Sequence, residues 1–505
     1  MWFSHILDRH CQQRGDAPAV VEGSKELTWR QLSSAVHSLA AHLHDRGIRH
    51  GDRVAVYSRN RAEMIVSYFA LAHLGAPFVP VNHAMQPAEY QDVAERFAVK
   101  HVLGEQRLLA RLGLAEDAQT DFDSPRFQAV LTAETPPPPL AGRMEDPFAV
   151  LLTSGTTGRP KGVVQTAQAL RQMSLSWLAA TGADDRVRLL NLNSLAHGSI
   201  TFTSHYLAAG ATIHLQREFQ PRAVLRAIQQ KGITHVWLVP QMLRFLLTAA
   251  GPDATVDSGL REIMFGASPI TPELLEQTRR TFGCDIRNVY GMTEAGGTFA
   301  TWLSPAHDNG PRVPLASSGR SVPGLHVEIQ DDAGIPLPTG TVGEVCVRSA
   351  GRMSSYLDNQ AATDETVVNG WVRTGDLGLM DENGFVHLKD RKKDLIKRGG
   401  QNVYPAEVEA AIREYPGVHD VAVIGVPDPD WTEAPAAFVV PEEGARLSAL
   451  DLLVFLRGRL ATYKQPRELV FVDEIPRNGA GKVLRRVLAE NAQDINHAEK
   501  EVASR

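Results

Sequence analysis

The chain of 505 residues carries 52 Lys and Arg against 58 Asp and Glu, a formal net charge of -6, with 22% charged and 43% hydrophobic residues. These proportions exclude a collagen-like, largely disordered or polybasic chain, and a mildly acidic balance gives no electrostatic ground for expecting nucleic acid or an anionic membrane as partner. At roughly 150 residues per domain, the length sets an expectation of about three folding units, with small-molecule chemistry as the starting assumption.

The opening residues, with Asp8 and Arg9 among them, lack the continuous apolar segment of a secretory signal. Cys11, Cys284 and Cys346 are far apart and lack the spacing of a zinc site, so they read as thiols of a reducing compartment, and cytoplasmic residence is expected. Thr28 to Gln31 has the form of a capping box, behind which Leu32, Val36, Leu39 and Leu43 recur at helical spacing until Gly47. Arg53 to Ser58 reads as a strand, Ala62 to His73 as a helix and Pro77 to Val81 as a strand, an alternation that predicts a layered α/β sheet. The apolar run Met64 to Val81 is interrupted by His73, Gly75, Pro77 and Pro80 and is therefore no membrane span.

Thr132 to Pro147 contains four consecutive prolines and reads as a stiff, exposed connector, either between subregions of one unit or between two units. Helix and strand alternate again from Thr212 to Leu247 and from Leu260 to Tyr290. After about Gly310 the runs HVEIQDDAG, GEVCVRS, GWVRTGDLG and GFVHLKD predict a small sheet or barrel. Beyond Asp390 come the charge cluster DRKKDLIKR, a helix opened by Pro405, and three more strands, a C-terminal unit of about a hundred residues.

The chemistry concentrates in Thr153-Ser154-Gly155-Thr156-Thr157-Gly158-Arg159-Pro160-Lys161-Gly162, which follows the apolar run Phe148 to Leu152. A glycine-rich turn after a strand exposes backbone N–H groups, the hydroxyls add donors, and Lys161 supplies a positive point charge, so the segment reads as a phosphate cradle. It is not a Walker A loop, because Pro160 precedes Lys161 and no Ser or Thr follows it.

This decapeptide resembles, in every position, the signature loop of the adenylate-forming enzymes, the family of acyl-CoA synthetases, luciferases and peptide-synthetase adenylation domains. The resemblance continues in order through Gly266-Ala267-Ser268-Pro269, Tyr290-Gly291-Met292-Thr293-Glu294, Thr374-Gly375-Asp376, Asp390-Arg391-Lys392-Lys393-Asp394 and Pro476-Arg477-Asn478-Gly479-Ala480-Gly481-Lys482, nearly the whole chain. It implies an α/β fold with a large N-terminal domain, 1–389, of layered α/β sheets plus a small β-barrel-like part. A small mobile α+β C-terminal domain, 390–505, follows. The implied cofactors are ATP, Mg²⁺ and CoA: a carboxylate attacks the ATP α-phosphate, and a thiol then displaces AMP from the acyl-adenylate.

By the same resemblance, Lys161 and the loop hydroxyls hold the β and γ phosphates, Glu294 coordinates Mg²⁺ together with Thr153, and Thr293 bonds the α-phosphate. A hard oxygen ligand suits Mg²⁺. Without the motif, Glu294 would read as an exposed loop carboxylate. Gly266, Ala267 and Ser268 are small enough for adenine to lie against their backbone, and Tyr290 offers an aromatic face on its other side, with Asn288, Val289, Gly291 and Met292 along the same segment. Asp376, in a turn between two β segments, offers two acceptor oxygens to the ribose hydroxyls and Arg391 reaches the same sugar; an Asx-turn is the structural alternative for Asp376. Lys482, otherwise a solvated loop charge, would bridge carboxylate and α-phosphate. Lys393 would be the hinge that exchanges Lys482 for the segment holding Gly399 and Gly400, the walls of a narrow thiol channel.

The resemblance places the acyl pocket along Leu195 to His205, Gly266 to Ile270 and Gly291 to Thr301, where Glu294 is the one Asp, Glu, Lys or Arg. A small carboxylic acid with a neutral, mostly apolar acyl group fits such a lining. His197 falls at the family's pocket-gating histidine, although Ser194 replaces the usual Pro of its Pro-x-x-His pattern, and a packed neutral His is the alternative. Three readings stand: an acyl- or aryl-CoA synthetase, a ligase loading a carrier-protein phosphopantetheine, and a catalytically silent nucleotide or acyl-adenylate binder. A homodimer is compatible with them.

Overall fold

The computed structural model describes residues 2–153, 160–196, 198–266, 270–305, 314–398, 401–428, 431–477, 483–485 and 487–490. The capping box forms as the sequence predicts: the Thr28 hydroxyl accepts from Gln31 N at 3.2 Å, and Gln31 Oε1 accepts from Thr28 N at 2.9 Å. Two of the orphan donors at a helix start are thereby satisfied, and the helix Trp29–Asp45 buries Leu32, Val36, Leu39 and Leu43. The next helix, Ala62–Leu74, is buried along its whole length, which explains an apolar run with almost no polar face.

By compactness the chain divides into two units, residues 1–327 with 346–374 and residues 328–345 with 375–505. Among the described residues, the first unit holds a seven-stranded and a nine-stranded sheet. The seven strands run, edge to edge, Ser355–Tyr356, Lys161–Thr166, Pro147–Thr153, Phe78–Asn82, Arg53–Ser58, Val99–Gly104 and Gln119–Asp121. Strands on both sides of the proline-rich connector thus share one sheet, so that connector joins subregions of a single unit. It is tied down by Thr135 N donating to Ser38 Oγ at 3.0 Å and Ala141 N to His73 O at 3.1 Å.

The nine-stranded sheet includes the parallel neighbours His235–Leu238, Glu262–Gly266 and Asp285–Met292, and the antiparallel Gly297–Ser304. Inside it, Arg287 donates to both carboxylate oxygens of Glu262, at 2.8 and 3.0 Å, and both side chains are buried. Such a two-pronged pair leaves neither buried charge uncompensated and locks together the two strands whose ends carry Gly266 and Tyr290.

The β-rich segment after 325 forms a five-stranded sheet that includes the antiparallel pair Trp371–Met380 and Val386–Arg391. The expected C-terminal helix is Pro405–Arg413, and the expected strands are Val418–Asp428, Thr432–Pro441 and Glu468–Phe471. Val408, Ile412, Leu452 and Leu456 pack with Val421 and Val439 as the core of that part. Among the described residues no helix is long and apolar enough to cross a membrane.

Candidate active site

The phosphate loop is held at its base by strand pairing. Pro147–Thr153 and Lys161–Thr166 are antiparallel, with Thr153 directly opposite Lys161. Ser154, Gly155, Thr156, Thr157 and Gly158 themselves lie outside the described residues.

A second hairpin delivers the acidic residue. Met292 faces Gly297 across its two strands, so Thr293, Glu294, Ala295 and Gly296 form the tip, closed by Gly296 N donating to Thr293 O at 3.0 Å. Gly296 has φ +92, and a Cβ there would lie 1.9 Å from Gly351 O, so no other residue fits without displacing backbone. The tip is seated by Gln165 Nε2 donating to Thr293 O at 3.1 Å and Met353 N donating to Glu294 O at 2.9 Å.

These contacts bring Glu294 to the base of the phosphate loop. Its side chain is buried, Tyr356 OH donates to Glu294 Oε1 at 2.8 Å, and Thr153 Oγ1 lies 3.5 Å from the same oxygen. Burial, and then the adjoining Glu294 carboxylate, push the Tyr356 phenol above its usual range, so Tyr356 stays a neutral donor. Lys161 Nζ sits 4.7 Å from the centroid of the Tyr356 ring, and among the described residues it has no carboxylate partner. An ammonium with no carboxylate partner among the described residues and a buried carboxylate, flanking one loop, would suit a metal-bound polyphosphate, the one charge able to meet phosphate oxygen and the other the cation. Among the described residues no three His, Cys, Asp or Glu side chains group together as a metal cage. One buried carboxylate beside a hydroxyl is a hard-oxygen donor set that would fit Mg²⁺ shared with phosphate oxygens.

Gly266 ends its strand opposite Val289, and a Cβ on Gly266 would lie 2.4 Å from Val289 O. The glycine expected for adenine contact is thus also required by the close approach of the neighbouring strand. The Val289 side chain is part of the core, which leaves only its backbone for any ligand. Gly291, too, approaches backbone closely, its Cβ position being 2.2 Å from Gly297 O, and Met292 is the register partner of Gly297. Tyr290 packs edge-on against Phe299, centroids 4.6 Å apart, and Asn288 Nδ2 donates to Ser317 O at 3.4 Å. Ala267 and Ser268 lie outside the described residues.

In the second compact unit, Asp376 lies within the strand Trp371–Met380, not in the turn expected from Thr-Gly-Asp. Gly375 takes a positive φ, +71, without ending the strand, and its N–H donates to Glu344 Oε1 at 3.1 Å. Asp376 is the register partner of Arg391, whose Nε is 2.6 Å from Asp376 Oδ1. Lys393 follows in the short 3₁₀ turn Lys392–Asp394, while Lys392 pairs with Asp332 and Glu344. Gly399, Gly400 and Lys482 lie outside the described residues; Arg398 pairs with Gln401 on either side of the first two, and Arg477 bridges to Val483 around the third.

His197 also lies outside the described residues. The helix after it, Ser199–Ala209, is almost wholly buried. His205 there bonds Ser174 Oγ through Nδ1 at 2.7 Å, and burial lowers it to about 3, so it is a neutral packed histidine. Ser199 Oγ donates to Asn191 Oδ1 at 2.9 Å, while the buried Thr203 hydroxyl on the same helix has no hydrogen-bond partner among the described residues.

Sequence reasoning missed Tyr356, Gln165 and Gly296. No local pattern marks them. Tyr356 gains its place only because Ser355–Tyr356 pairs with the strand that follows the phosphate loop.

Layered α/β sheets, a Gly- and Thr-rich loop and a small C-terminal part are the architecture of an adenylate-forming enzyme. Residues 7–357 match the family model described as AMP-binding enzyme, and residues 407–482 match that described as AMP-binding enzyme C-terminal domain, so the chain belongs to this adenylate-forming family. Fatty acid–[acyl-carrier-protein] ligase ScoC of Streptomyces coeruleorubidus is 34% identical over 491 residues, covering 95% of this chain and 94% of that protein. Indoleacetate–CoA ligase of Aromatoleum aromaticum is 34% identical over 505 residues, covering 96% of each. The structure is similar to o-succinylbenzoate CoA synthetase of Bacillus subtilis in complex with its acyl-adenylate intermediate, with a TM-score of 0.85, 28% identity, and coverage of 96% of this chain and 97% of that one.

Proposed function

We propose that the chain is an ATP-dependent carboxylic acid:CoA ligase that forms an acyl-adenylate with release of pyrophosphate and then transfers the acyl group to a thiol. The reading is carried by Lys161 and Glu294, brought to one phosphate loop from segments far apart in sequence. Attack of a carboxylate on a phosphate sets anion against anion, so the enzyme's task is to neutralise phosphate oxygens and align the attack. Lys161 would hold the β and γ phosphates, Thr293 the α-phosphate, and Glu294 with Thr153 the Mg²⁺, which when bound draws charge from the leaving pyrophosphate. Gly266, Ala267, Ser268 and Tyr290 would bind adenine, and Asp376 with Arg391 the ribose. Lys482 would serve adenylation and, after rotation of 390–505 about Lys393, Gly399 and Gly400 would admit the thiol.

The substrate we propose is an acid with a neutral, mostly apolar acyl group, because Glu294 is the one Asp, Glu, Lys or Arg in the pocket stretches. The free thiols Cys11, Cys284 and Cys346 support a reducing, cytoplasmic setting. A carrier-protein acceptor is the second reading, favoured by the likeness to the acyl-carrier-protein ligase. Pyrophosphate release across fatty, aromatic and alicyclic acids, followed by CoA against a holo-carrier as acceptor, tests both. No acid-dependent release would instead support a silent nucleotide binder.

A further inference from the structure

Tyr356 touches both charged groups of the phosphate end and belongs to neither motif. Its backbone is fixed twice: opposite Val163 in the sheet, and by its N–H donating to Thr363 Oγ1 at 2.9 Å. Val163 is two residues from Lys161 and therefore on the same face of the strand, which makes Tyr356 the diagonal neighbour of Lys161 and places its ring beneath the ammonium. The hydroxyl at the far end of the ring reaches Glu294 Oε1. Among the described residues, no donor reaches Glu294 Oε2.

We propose that Tyr356 is a positioning residue for the metal: it pins Glu294 Oε1 so that Oε2 is presented to Mg²⁺, and it holds Lys161 in register with that carboxylate. A free glutamate has three side-chain torsions to order when a cation arrives. One held by a buried hydroxyl has lost that freedom already, so cation affinity rises without an added ligand. The inference rests on Glu294 being the metal ligand in the functional reading above.

The test is ATP binding by calorimetry as a function of Mg²⁺, without acid, supported by Mn²⁺ binding read by paramagnetic resonance. For Tyr356→Phe the Mg²⁺ concentration giving half-maximal ATP binding should rise about tenfold, with ATP affinity at saturating metal within about twofold of the native protein. Tyr356→Leu, which also removes the ring under Lys161, should remain weaker at saturating metal. In a Glu294→Gln background, Tyr356→Phe should add nothing to the metal dependence. An unchanged Mg²⁺ dependence in Tyr356→Phe, or an undiminished effect of that substitution beside Glu294→Gln, overturns the inference while leaving the ligase reading intact. Loss of the folded state in Tyr356→Phe, read as absence of a cooperative melting transition with no metal, would show a purely structural role and overturn it too. Native protein whose ATP binding ignores Mg²⁺ would instead overturn the placing of the metal at Glu294.

Discussion

Asp376 Oδ1 and Arg391 Nε lie 2.6 Å apart across two antiparallel strands in which these residues are register partners. Each was expected separately to reach the ribose, and the sheet brings them together without a ligand. The pair keeps both groups in one orientation, so on the proposed reading a sugar sharing the carboxylate would meet a site already ordered.

Replacing Asp376 with Ala should therefore weaken ATP binding by about ten- to a hundredfold, the range for hydrogen bonds to a charged group. Calorimetric titration with ATP at saturating Mg²⁺ measures it, and an affinity equal to that of the native protein would remove Asp376 from the nucleotide site.

The two half-reactions should separate by residue. Lys482→Ala is expected to abolish adenylate formation while still converting supplied acyl-adenylate to thioester, and Gly400→Leu to do the reverse. Pyrophosphate release and thioester formation, assayed apart, distinguish the steps. Equal loss of both in both variants would contradict alternation about Lys393.

Gly296→Ala should be costly out of proportion to one methyl group. The added Cβ would meet Gly351 O at 1.9 Å, and φ +92 is unfavourable to any side chain. Destabilisation of about 2 kcal/mol or more is expected from clash and strain together, with metal-dependent ATP binding weakened because Glu294 rides on the same tip. Denaturant midpoints and the Mg²⁺ titration read the two effects; a neutral substitution would mean the tip relaxes freely.

Acid should destabilise the fold through its buried histidines. Burial lowers His205 to about 3, whereas in the unfolded chain it titrates near the ordinary value of about 6.5. The stability from keeping it neutral is present in full above about pH 6.5 and is lost as the pH falls toward 3, by up to about 1.4 kcal/mol per pH unit. His101 and His214, each lowered by burial to about 4, act in the same direction. Unfolding free energy measured between pH 7 and 5 should fall with acidity, and His205→Gln should make the slope shallower by one proton. An unaltered slope would place the proton uptake elsewhere.

Much of the fold was legible along the chain because its signals are local. The capping box at Thr28, the strand Arg53–Ser58 and the helix after Pro405 follow from spacing and caps that involve only near neighbours. The Thr-Gly-Asp turn was misread because a positive-φ glycine can be absorbed within a strand as easily as it can end one. The proline-rich stretch could not be assigned to one unit or two, since only the pairing of Pro147–Thr153 beside Phe78–Asn82 settles which sheet it rejoins.

By itself, the sequence determined the alternation of elements, the family of the chain and the residue types of its motifs, because these are written in contiguous residues. Tertiary structure alone decided that Tyr356 should stand between Lys161 and Glu294, that Asp376 should face Arg391, and that Gly266 and Gly296 should be demanded by backbone packing as well as by any ligand. Those relations depend on sheet register and on the close approach of distant strands, and neither leaves a periodicity in the chain.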